Sequence, residues 1–78
     1  MNLTSDDRNE QTRLEQQRDE LRARLDAIRD DLRQPLEADS EERAIQLENR
    51  EVLEGIARAA SEELARIEQR LARLKAGR

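Results

Sequence analysis

An all-α fold, a long antiparallel two-helix coiled-coil hairpin with an acidic tip, follows from three properties of the chain: composition, heptad spacing and one central proline. Of the 78 residues, 44% are charged and 35% apolar, with no aromatic residue and no cysteine. A compact globular core usually draws on Phe, Tyr or Trp, so this composition points to a long, solvent-clad helical structure. Abundant Glu, Arg, Leu, Ala and Gln agree, because these residues lose little side-chain entropy in a helix. Residues 1–78 are accordingly expected to form a single hairpin, with a first helix over about 4–34, a tip at 35–39 and a second helix over about 40–75.

The first helix opens at Thr4 or Ser5, either of which can accept a hydrogen bond from an orphan amide, while Asp6 and Asp7 suit the positive end of the helix dipole. Leu14, Leu21 and Ile28 fall at d positions and Leu25 and Leu32 at a positions, with Gln11 and Arg18 on the same seam. Pro35 ends the helix, since it lacks an amide hydrogen and its ring clashes with the preceding turn. The second helix starts at Asp39 or Ser40, and Ala76, Gly77 and Arg78 form its frayed or capped end. Its expected stripe is Ile45, Val52, Leu53, Ile56, Ala60, Leu64, Ile67, Leu71 and Leu74.

With a short turn, antiparallel partners should add to about 77, pairing Leu32 with Ile45, Leu25 with Val52, Leu21 with Ile56, Leu14 with Leu64 and Leu3 with Leu74. Each arm then spans roughly 45 Å or more at 1.5 Å per residue. About fourteen apolar side chains are a thin core for such a rod, and small scaffolds usually need a staple. A marginal monomer, a self-associated bundle of hairpins or a rod leaning on a second domain are the three expected solutions. Gly55, in the middle of the second helix, marks a bend, a close packing point or a weak spot. Arg18, Asn49 and Arg50, near the seam, either set register or snorkel from it.

Several function classes drop out. Without Cys or His the chain cannot build a disulfide or a zinc site alone. No apolar run approaches the ~20 residues of a membrane span and nothing at the N-terminus resembles a signal peptide, so the expected location is cytoplasmic. No Ser-His-Asp set or glycine-rich phosphate loop occurs, and the chain is not expected to be an enzyme. Residues 26–54 carry ten acids and four bases, whereas 55–78 carry three acids and six bases. The hairpin is therefore acidic at its tip, which disfavours nucleic acid there. It suits a basic partner surface or a cation, although Glu at helix starts and Arg at helix ends also simply match the macrodipole.

The tip text carries a resemblance. Asp39-Ser40-Glu41-Glu42-Arg43-Ala44 resembles the D-x-x-D-x-A tip motif of the DksA/TraR family of bacterial transcription regulators. The stretches Leu47 to Leu53 and Leu71 to Gly77 are similar to that family's coiled-coil arm. The resemblance implies a rod that enters the secondary channel of RNA polymerase and places tip acids close to the catalytic centre. It assigns Asp39 to the first acidic position, Glu42 to the second and Ala44 to the alanine, with Arg43 a polymerase contact or a partner for a nearby acid. Glu42 departs from the family's Asp by one methylene. Family members usually continue into a Tyr-Gly-x-Cys zinc finger, so the chain is expected to be either an excised coiled-coil piece or a member without the finger. That puts the finger's contacts, including part of the handling of ppGpp, in question.

A neighbouring resemblance is to Gre-type cleavage factors, whose hairpin tips help hold a second Mg²⁺ for RNA hydrolysis. Asp39 and Glu42 fit that spacing, but the second-helix text follows DksA more closely. The implied partner is RNA polymerase, with no cofactor in this chain beyond a transient Mg²⁺ at the partner's active site. A purely structural coiled coil that assembles through its Leu and Ile stripe is the competing class. Asp39 followed by Glu42 is also a capping box, a role compatible with a functional tip.

Overall fold

The computed structural model describes residues 4–77 as two long helices, α1 (Ser5–Leu32) and α2 (Ser40–Ala76), folded into a rod of 61 × 14 × 14 Å. Thr4 caps α1, its hydroxyl accepting from the Asp7 amide at 3.0 Å. The helix stops at Leu32, with Arg33 as its C-cap, two residues short of Gln34. Pro35 disfavours helical backbone at the residue before it, and the chain is already out of the helix when it reaches that residue. At the other end Gly77 caps α2 with its amide on the Arg73 carbonyl, 2.8 Å away.

The buried apolar residues are Leu21, Leu25, Ile28, Ala60, Ile67, Leu71 and Leu74. Leu14, Ala57 and Leu64 pack against the cluster formed by Leu21, Leu25, Ala60, Ile67 and Leu71. In α1 the seam runs Gln11, Leu14, Arg18, Leu21, Leu25, Ile28 and Leu32, flanked by the half-buried Asp7, Glu10 and Glu15; in α2 it runs Gln46, Arg50, Leu53, Ala57, Ala60, Leu64, Ile67, Leu71 and Leu74. Both sets keep an unbroken alternation of three and four residues. That is the spacing of an antiparallel coiled coil.

The register differs from the expected one. Glu10 pairs with Arg70, Arg22 with Glu68 and the Gln34 carbonyl with Arg50, so partners add to roughly 85 rather than 77. At that register Leu21 stands level with Leu64 and Leu25 with Ala60, all members of one apolar cluster. Ile45, Val52 and Ile56, expected to face α1, are instead exposed at 58%, 62% and 44%. Leu3, expected opposite Leu74, lies outside the described residues. Moving from 77 to 85 is a heptad plus one residue, so α2 turns by about 100° and offers α1 the neighbouring stripe of Gln46, Arg50, Leu53 and Ala57 in place of Ile45, Val52 and Ile56. The connection is also longer than expected, residues 33–39 rather than 35–39.

The Glu10–Arg70 pair is two-pronged, at 2.8 and 3.2 Å, and the Arg22–Glu68 pair is 2.9 Å long. Both are exposed, and such pairs contribute at most about 1 kcal/mol each. Hydrogen bonding to Glu10, then its charge, raises the Arg70 guanidinium above its ordinary value. Burial along the seam therefore dominates register, with these pairs as reinforcement.

Gly55 has open space around it: a Cβ placed there meets nothing within 4 Å. Of the sequence readings, the close packing point is thus excluded within the hairpin. Gly55→Ala is expected to stabilise the hairpin by about 1 kcal/mol, the helix-propensity difference. Thermal unfolding followed by circular dichroism would show it, and an unchanged or lowered midpoint would contradict it.

Candidate functional site

The tip is built on one helix end and the connecting segment before it. With partners adding to roughly 85, α1 ends level with Leu53, and the first dozen or so residues of α2 project about 18 Å beyond it at 1.5 Å per residue. Residues 33–38 run alongside this projection, held by two α2 side chains. Gln46 grips the connection from both sides, accepting from the Glu37 amide at 2.7 Å and donating to the Pro35 carbonyl at 3.4 Å. One turn along, Arg50 donates to the Gln34 carbonyl. Gln46 and Arg50 occupy the two seam positions that α1 is too short to cover. They substitute for the missing helix with hydrogen bonds to backbone.

Asp39 is the N-cap of α2, with φ −69° and ψ 130°. Its Oδ1 accepts from the amides of Glu41 at 2.9 Å and Glu42 at 3.2 Å, satisfying two of the helix's orphan donors. The capping box is half formed: among the described residues, the Asp39 amide donates no hydrogen bond to the Glu42 carboxylate. Arg43 folds its guanidinium back onto the Ala38 carbonyl, 3.2 Å away, tying the last residue of the connection to the first turn of the helix. Every residue from Arg33 to Ile45 is exposed.

Asp39 and Glu42 lie three residues apart and share one side of the helix end, together with the positive pole of the α2 dipole. Ala44, five residues from Asp39, sits about 140° around the axis. The structure thus brings the two acids together and sets Ala44 on another face of the same end. Arg43 lies between them as a brace. Sequence reasoning missed Gln46, although a signal existed: it is the polar residue four before Arg50 on the same seam, where an apolar residue would be needed if α1 reached that far.

Gln46→Ala is expected to free the connection while leaving both helices intact. Amide hydrogen exchange at Glu37 should accelerate at least severalfold, the loss of one hydrogen bond being worth about 1 kcal/mol, whereas exchange within the seam should hardly change. Equal protection at Glu37 in both proteins would show that Gln46 does not position the connection.

Among the described residues no group of three or more His, Cys, Asp or Glu side chains is arranged to hold a metal, and no helix is long and apolar enough to cross a membrane. An exposed acidic point on an elongated helical pair defines a coiled-coil hairpin with one acidic end. Residues 11–74 match the family model of the DnaK suppressor protein-like N-terminal domain. The chain belongs to this family, the DksA/TraR family of transcription regulators. Its members are regulators rather than enzymes, and the family binds RNA polymerase. No curated protein and no solved structure matches the chain.

Proposed function

We propose that this chain regulates transcription in the bacterial cytoplasm by inserting its tip into the secondary channel of RNA polymerase and presenting Asp39 and Glu42 near the catalytic centre. The observation that carries this reading is the pair of acids on one side of a helix end, at the extremity of a 61 Å rod. Only one oxygen of Asp39 is committed to the cap. The second Asp39 oxygen and the Glu42 carboxylate are open to a partner. Two carboxylates at that point would perturb the field around the polymerase's own Mg²⁺ and the mobile elements beside it. Arg43 and Ala44 complete the contacting end, Ala44 by permitting close approach. The chain brings no cofactor of its own and makes no direct nucleic-acid contact, its tip being acidic.

A reconstituted transcription system tests this. The protein is expected to alter initiation, and Asp39→Asn combined with Glu42→Gln is expected to abolish the effect while polymerase binding persists. A double variant as active as the parent would refute the role of the tip.

A further inference from the structure

α2 carries two heptad seams. The first, from Gln46 to Leu74, meets α1 and the connection. The second is displaced by one residue, hence by about 100° around the axis: Ile45, Asn49, Val52, Ile56 and Ala59, followed at the same spacing by Glu63 and Arg66. Its apolar members stay open, with Ile45, Val52 and Ile56 each at least 44% exposed. Scattered exposed aliphatics need no explanation. Three large aliphatic residues and an alanine on three-four spacing, over about 21 Å of helix, form the kind of stripe that seats another helix.

We infer that this second seam seats α2 of a second copy of the chain, running antiparallel, so that two hairpins form a four-helix bundle with both α2 helices at its centre. Charge selects both the partner and its direction. Between Asp39 and Leu53 α2 carries five acids and two bases, and between Gly55 and Gly77 it carries five bases and three acids, so the two halves are opposite in net charge. An antiparallel copy with its two-fold axis near Val52–Ile56 sets Glu42 about level with Arg66 of the second copy, and the reverse by symmetry. A parallel copy would stack acid on acid. Asn49, the one polar residue inside the apolar stripe, restricts the register that the pair can adopt.

The pairing has a regulatory consequence, which rests on the proposed function whereas the dimer itself does not. Each tip would lie along the second half of the other copy's α2, so the paired form withholds Asp39 and Glu42 from a channel. Dilution releases them.

Sedimentation equilibrium of the full chain over roughly 10 µM to 1 mM in low salt is expected to show the mass rising from 9.1 kDa toward twice that value. Ile56→Glu should raise the dissociation constant at least tenfold without lowering the helical circular dichroism of the dilute hairpin, because Ile56 is exposed within it. Spin labels attached through Arg66→Cys should lie about 36 Å apart along the axis in the dimer, whereas a parallel pair would hold them level. A monomer at 1 mM, a dimer indifferent to Ile56→Glu, or Arg66 labels held close together would each overturn the inference. The transcription reading would survive any of these results.

Discussion

Leu25→Ala is expected to abolish most of the helical signal of the dilute hairpin at room temperature, whereas Ile45→Ala is expected to leave it nearly unchanged. Leu25 is 3% exposed, among the most deeply buried side chains of the seam. Truncating such a leucine costs about 2–5 kcal/mol in lost transfer energy and residual cavity. A single-layer core in a chain this short supplies a total stability of only about 3–5 kcal/mol, so that one substitution is enough to unfold it. Ile45 is mostly solvated, and its truncation should fall within about 0.5 kcal/mol of neutral. Circular dichroism with urea titration at micromolar concentration measures both. Equal losses from the two variants would mean that Ile45 faces α1 after all and that partners add to 77.

The second large effect separates the two roles of Asp39. Asn caps a helix about as well as Asp, so Asp39→Asn should retain the bonds from the Glu41 and Glu42 amides while removing the charge. Asp39→Ala removes both and should cost about 1 kcal/mol of stability. In the transcription assay, Asp39→Asn with Glu42→Gln should therefore be inactive yet as stable as the parent to within a few tenths of a kcal/mol. Asp39→Ala with Glu42→Gln should be inactive and less stable. If the asparagine version keeps full activity and the alanine version loses it, Asp39 acts only as a cap. The tip then has no electrostatic role.

These contrasts also show how far the sequence alone could carry the fold. Helix existence and type were legible because strong helix formers fill both arms, and the ends were marked by Thr4, Pro35 and Asp39, each with a mechanism for starting or stopping a helix. Register was not legible. Ile45, Val52 and Ile56 form the more hydrophobic stripe over the first part of α2, and binary pattern assigns such a stripe to the interior. The α1-facing seam there is Gln46, Arg50, Leu53 and Ala57, a less apolar set that pairs because it continues the line of Ala60, Leu64, Ile67 and Leu71. Continuity of the seam outweighed local hydrophobicity. The conformation of residues 33–39, held by Gln46 and Arg50 through backbone groups, leaves no periodic trace in the sequence.

At the tip, the acids Asp39 and Glu42 could be placed from their text and spacing. The back-folded Arg43 could not, since its partner is the Ala38 carbonyl and any residue at position 38 offers the same acceptor. Glu42's failure to close the capping box was equally invisible, because the motif is compatible with either geometry.

The projection of α2 past the end of α1 gives the rod a taper. Its shaft is two helices wide, but its last 18 Å or so is one helix with the connecting segment beside it. A single helix with its side chains is about 10–12 Å across, narrower than two helices side by side. An aperture that admits the narrow section and rejects the shaft would halt the rod at the shoulder where Leu32 ends, always at the same penetration. The dozen or so residues by which α1 falls short would then set the depth of insertion. Lengthening or shortening α1 by one heptad, with the tip untouched, would move the acids by about 10 Å relative to whatever the shoulder rests against.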